Sequence, residues 1–130
     1  MNPSLKVLIV DDSMAMRHFV QRILAAAGFS GAETYFAEDG KTALEMLQEC
    51  LVDIVITDIN MPGLDGEGLM ACMAQDEHLR SIPVLVMTSD STATRAIRML
   101  RLGARGYMVK PFHAEELKAE MDRILEASHA

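Results

Sequence analysis

Four short apolar runs in this chain each deliver a residue that can do chemistry. Asp-Ile-Val-Ile-Thr (53–57) leads to Asp58, and Lys-Val-Leu-Ile-Val (6–10) to the pair Asp11 and Asp12. Pro-Val-Leu-Val-Met (83–87) leads to Thr88, and Gly-Tyr-Met-Val (106–109) to Lys110. If these runs are parallel strands of one sheet, all four ends lie along one edge, where open α/β proteins place their sites. Three carboxylates, a hydroxyl and an ammonium on that edge make a cation site beside an oxygen able to accept a group.

Two aspartates after a strand also suit a helix N-terminus, where a carboxylate satisfies free N–H groups and the dipole. One of Asp11 and Asp12 can do that, which leaves the other beside Asp58. Like charges at ~4 Å, with an effective dielectric of about 20, repel by about 4 kcal/mol per pair, and a bound cation relieves this. All-oxygen ligation selects Mg²⁺, Mn²⁺ or Ca²⁺. Few protein ligands on an open edge favour Mg²⁺, which keeps several waters and shares phosphate oxygens; Mn²⁺ is the expected substitute. A plain turn role before Pro62-Gly63 fits Asp53 and Asp65 better than Asp58, which is matched by Thr88 and Lys110. A carboxylate needs no general base to carry a phosphoryl group. Lys110 and the metal would offset the charge in transfer, and Thr88 could donate to one of its oxygens.

The elements that must position these residues follow from hydrophobic period. Met16, Val20, Ile23, Leu24 and Ala27 share one helical face over 13–27, and Gly28 stops that helix. The run 33–37 reads as a second strand, more polar and so nearer a sheet edge. Asp39-Gly40 caps a helix to about Cys50, with Ala43, Leu44 and Leu47 inward. Further helices are predicted from about Gly66 to Gln75 and from about Thr92 to Leu102, the latter ended by Gly103. A last helix after Pro111 places Leu117, Met121, Ile124 and Leu125 at helical spacing. Five strands alternating with five helices imply parallel pairing and right-handed crossovers. Near-continuous apolar strands indicate a sheet covered on both faces.

Bulk properties bound the rest. The 130 residues, half of them hydrophobic, make one domain of common size with a real core. A net charge of −7 argues against a nucleic-acid surface. No apolar run approaches the ~20 residues that span a bilayer, and no signal-peptide pattern opens the chain, so a cytoplasmic location is expected. Cys50 and Cys72 have no metal or redox spacing and read as small buried hydrophobes of a reducing compartment. The 11 Met suggest an adaptable core. His18, His78, His113 and His129 are scattered and read as surface residues.

The motifs resemble those of a receiver domain of two-component signalling, most of all the stand-alone CheY-like response regulators. The matching segments are Val-Asp-Asp-Ser (10–13), Glu-Asp-Gly (38–40), Asp-Ile-Asn-Met-Pro-Gly-Leu-Asp-Gly (58–66), Met-Thr-Ser (87–89) and Gly-Tyr-Met-Val-Lys-Pro-Phe (106–112). They span nearly the whole chain in order. The resemblance implies a doubly wound five-stranded parallel sheet of order 2-1-3-4-5, in a single receiver domain over 1–130. It implies that Asp58 accepts a phosphoryl group from the phosphohistidine of a sensor histidine kinase or a histidine phosphotransfer protein. It implies Mg²⁺ held by Asp12, Asp58 and the Asn60 main-chain carbonyl, with Asp11 helping through water, and Thr88 and Lys110 on the phosphoryl oxygens. It also implies a frequent cis peptide at Lys110-Pro111.

For output, the resemblance implies that Thr88 moves toward the phosphoryl group and that Tyr107 then turns inward. The face of the fourth helix, fifth strand and fifth helix would thereby switch toward a downstream protein target. Taken alone, Tyr107 reads as an amphipathic residue at a strand start. Arg95, Arg98, Arg101 and Arg105 form a basic stripe on an acidic protein, while the last helix carries Glu115, Glu116, Glu120, Asp122 and Glu126. An ordinary solvated face is the plain reading of the stripe; the sharper one docks an acidic peptide, or a second copy in a phosphorylation-dependent homodimer. Relatives that bind the flagellar switch use basic side chains near the start of the fourth helix and on the fifth. Ala93, Ala96 and Glu120 stand there, so a motor role does not follow. Asn60 and Asp90, two residues after Asp58 and Thr88, are expected to set the rate at which water hydrolyses the phosphoaspartate, unless they are merely solvated loop residues.

The expected protein is a self-phosphorylating and self-dephosphorylating switch, not a turnover enzyme. A phosphatase of the haloacid-dehalogenase type would need a second Asp where Asn60 stands. A flavodoxin-like nucleotide binder would need a glycine-rich loop where Asp11-Asp12 stands. The receiver of a larger regulator would share the chemistry and differ in output.

Overall fold

The computed structural model describes residues 4–90 and 92–128, so His129 lies outside the described residues. Five parallel strands, β1 (Lys6–Val10), β2 (Glu33–Ala37), β3 (Ile54–Asp58), β4 (Val84–Thr88) and β5 (Gly106–Val109), form one sheet of order β2-β1-β3-β4-β5. Helices α1 (Met14–Leu24), α2 (Gly40–Glu49), α3 (Gly66–Ala74), α4 (Ala93–Arg101) and α5 (Ala114–Ser128) connect and follow them. The expected fold class and strand order hold, and the more polar β2 is indeed an edge strand.

Because side chains alternate across a strand, each central strand feeds two cores. Val7, Ile9, Ile54, Ile56, Leu85 and Met87 pack with Val20 and Leu24 of α1 and Leu117, Met121 and Ile124 of α5. Leu8, Val10, Val55, Val84 and Val86 pack with Ala43 and Leu47 of α2, Leu69 and Met73 of α3 and Met99 of α4. This two-sided burial is why the strands read as continuous apolar runs.

Local chemistry fixes the boundaries. Helix α1 passes into a wide turn over Ala25–Phe29, where Gly28 takes φ 103°, a value that favours glycine and ends the helix. Gly103, at φ 115°, does the same after α4. Asp39 caps α2 by accepting from the Thr42 amide at 2.8 Å. Strands β3 and β4 each run one residue further than their apolar spelling, so Asp58 and Thr88 are the last residues of their strands. The Lys110-Pro111 peptide is cis.

Two expectations need correction. The cap of α1 is neither aspartate: Ser13 accepts from the Met16 amide at 3.1 Å, while Asp11 Oδ1 accepts from the Ser13 amide at 2.8 Å. Cys72 is exposed and Cys50 only half-buried. The buried stripe of α3 runs through Leu69, Met70 and Met73 and leaves position 72 outside.

Candidate functional site

At the carboxyl edge of the sheet, carboxylate oxygens of Asp11, Asp12 and Asp58 lie within 4.8 Å of one another. They are there because Val10 pairs with Thr57 in register, which sets the two strand ends side by side. Asp11 is 1% exposed and Asp58 8% exposed, whereas Asp12 faces solvent. Buried carboxylates need partners, and Lys110 supplies one. Its Nζ donates to Asp11 Oδ2 at 3.0 Å and to Asp58 Oδ2 at 3.1 Å. The Lys110 amide, bonded to the Thr88 carbonyl at 2.7 Å, fixes where that side chain starts.

Burial is the largest single influence on the Lys110 ammonium and works against its charge. The bonds and charges of Asp11 and Asp58 together outweigh it, and the pKa is raised above the ordinary lysine value. Their contribution therefore holds below that value and is lost as pH rises through the raised one. One ammonium against three carboxylates leaves a surplus of two negative charges. The donor set is all oxygen and the surplus matches a divalent cation, so these residues fit the expected Mg²⁺ or Mn²⁺.

Thr88 is 1% exposed, and its Oγ1 accepts from the Asp90 amide at 3.0 Å. Asp90 in turn accepts from the Thr92 amide at 2.9 Å, a bond that lowers its pKa, so its carboxylate shapes the turn into α4. Asn60 is exposed, and its Oδ1 accepts from Arg95 Nη2 at 3.3 Å. Tyr107 stands outward, 37% exposed.

The arginine stripe is not uniform. Arg98 grips Glu67 of α3 through Nε at 2.8 Å and Nη2 at 3.0 Å. Arg95 turns toward Asn60, and Arg101 and Arg105 are exposed. Of the histidines, His18, His78 and His113 are exposed as expected, although the His18 ring meets Phe36 edge-on at 5.1 Å.

Several supporting residues carried no signal. Arg17 Nη1 donates to the Asp11 carbonyl at 2.6 Å, tying α1 to the aspartate loop. Gly66 is required by closeness, since a Cβ there would overlap the Asp58 carbonyl oxygen. The Gly66 amide also bonds the Ile59 carbonyl at 2.9 Å, and the Gly40 amide bonds Leu64 at 2.9 Å, so two glycines hold the loop after β3. The motif 58–66 contained Gly66, but its spelling does not say which atom the glycine must clear.

Comparison with known proteins agrees with this geometry. The family model described as the response regulator receiver domain matches residues 7–122. Chemotaxis protein CheY-3 of Vibrio cholerae is 41% identical over 126 residues, covering 97% of this chain and 95% of its own. Chemotaxis protein CheY of Pseudomonas aeruginosa is 40% identical over 122 residues, covering 94% and 97%. The structure of the chemotaxis response regulator CheY4 of Vibrio cholerae superposes with a TM-score of 0.84 at 32% identity, covering 95% of this chain and all of its own.

Proposed function

This chain belongs to the response regulator receiver family, in its CheY-like form, and on that footing we propose that Asp58 is its phosphoacceptor. The observation that carries the reading is the Lys110 ammonium bonded to both Asp11 and Asp58 at the strand ends. An Asp58 oxygen attacks the phosphorus of a partner's phosphohistidine. A P–O bond forms as the P–N bond breaks, and the imidazole leaves and takes up a proton from solvent. Lys110 offsets charge on the phosphoryl oxygens, and Thr88 turns its hydroxyl to donate to one of them. A divalent ion held by Asp11, Asp12, Asp58 and the Asn60 carbonyl would offset the remaining charge.

Reversal uses water. Its oxygen bonds to phosphorus, the bond to Asp58 breaks, and phosphate leaves with the surplus proton passing to solvent. Asn60 and Asp90 flank this path and set its rate. Asn60 is amide, not acid, and already accepts from Arg95, which supports a switch over a turnover phosphatase. A phosphoryl group adds about −1.5 to −2 charge. Thr88 moving toward it vacates space for Tyr107, and the α4–β5–α5 face changes for a downstream protein target or a second copy. Among the described residues no helix is long and apolar enough to cross a membrane.

The test is intact mass after incubation with acetyl phosphate, with and without Mg²⁺, beside Asp58→Asn. The expected result is a Mg²⁺-dependent gain of one phosphoryl, absent from the variant. No gain under conditions that phosphorylate a control receiver would overturn the reading and leave a constitutive binding module.

A further inference from the structure

Neighbouring arginines on α4 are treated very differently. Arg98 has its fork filled by Glu67 although its side chain is 63% exposed. Arg95 is the more buried of the two, yet forms no ion pair among the described residues. Its Nη2 donates to the neutral Asn60 amide oxygen at 3.3 Å, and its Nε is buried with no hydrogen-bond partner among the described residues. A half-buried guanidinium with an unspent donor is a costly placement unless a stronger acceptor arrives. Its position says where that acceptor would be. Asn60 lies two residues past Asp58, and Asp90, two residues past Thr88, feels the Arg95 charge together with Glu67. Arg95 therefore stands between the two loops that frame the phosphoacceptor.

We propose that Arg95 is a phosphoryl-recognition residue, which on charging of Asp58 leaves the Asn60 amide and donates its fork to the phosphoryl oxygens. It reaches them from the α4 side as Lys110 does from the β5 side. Guanidinium–phosphate pairs are bidentate and about twice as strong as neutral bonds, so the exchange is favourable. The inference rests on the phosphoacceptor reading and adds a ligand to it. It also gives α4 a direct mechanical link to the phosphoryl group, beside the one through Thr88.

Beryllium trifluoride with saturating Mg²⁺ supplies a tetrahedral stand-in for the phosphoryl group, and its affinity can be measured by NMR titration of the full chain. Arg95→Ala should bind it about tenfold more weakly than wild type. Arg95→Lys, which keeps the charge and loses the fork, should fall between, and Arg98→Ala should match wild type. Melting temperatures of wild type and the two Arg95 variants should stay together, since no filled ion pair is lost at position 95. Wild-type affinity in Arg95→Ala, or an equal loss in Arg98→Ala, overturns the proposal while phosphorylation of Asp58 stands. A wild-type chain that neither gains a phosphoryl from acetyl phosphate nor binds beryllofluoride overturns the phosphoacceptor reading, and this role with it.

Discussion

The site has two sides built to different rules. On the β1–β3 side, Asp11 and Asp58 are nearly buried and bridged by Lys110, and their loops are tied by Arg17, Gly40 and Gly66. Helices α1, α2 and α3 all begin with a side-chain cap bond, from Ser13, Asp39 and Asp65. On the β4–β5 side, Thr92 caps α4 without a side-chain bond, and α4 buries only Ala96 and Met99. Ile97, Leu100, Leu102 and Tyr107 stand exposed there. Chemistry that depends on positioning and charge needs groups already in place. A segment that must change shape is drawn from parts held by few buried contacts. The molecule thus sets a closely tied carboxylate–lysine cluster beside a lightly anchored helix, the arrangement the proposed switch needs, with Thr88 and Arg95 between them.

Removing Lys110 strikes the fixed side hardest. Lys110→Ala should slow phosphorylation by acetyl phosphate about a hundredfold, the usual cost of a lost charge-stabilising donor. It should at the same time tighten Mg²⁺ binding, because a competing cation has gone. Rate and metal affinity moving together in the same direction would contradict this account. Gly66→Ala forces the loop away from the Asp58 carbonyl, and denaturant unfolding should show a loss of roughly 1–3 kcal/mol.

The caps compare the two sides directly. Ser13→Ala should cost about 1 kcal/mol, or about 4 °C in melting temperature. Thr92→Ala should stay within about 0.5 kcal/mol, and equal losses would erase the distinction between the helices.

The smallest effect concerns the link from α4 to α3. The Arg98 hydrogen bond is the chief cause of a Glu67 pKa below the ordinary value of 4.5. That contribution is complete above the ordinary value and lost as pH falls through the lowered one. Glu67→Gln should flatten stability against pH in that acid range and lower it slightly near neutrality, where the contribution is complete. The change is small, since Arg98 is largely exposed.

Most of the fold was legible because its signals are local. Gly28 and Gly103 mark helix ends by conformations few other residues adopt, and apolar runs mark strands covered on both faces. Asp11, Asp12, Asp58, Thr88 and Lys110 were legible as a site because each closes or follows such a run. The cap of α1 was misread because Asp12 and Ser13 are both good capping types, and only geometry chooses between them. Cys72 was misread because a small residue in an apolar stretch does not say which way it faces.

The elements, their alternation and the polar residues at strand ends could be read from the chain alone, since they depend on period and on neighbours along it. Folding was needed to show that Lys110 spans two aspartates 99 and 52 residues earlier. The same holds for Gly66, which must clear the Asp58 carbonyl, and for Arg95, which turns to Asn60 while Arg98 turns to Glu67. These pairings join groups distant in the chain. The crossovers bring them together, and the choice among long side-chain rotamers is made by the acceptor each one meets.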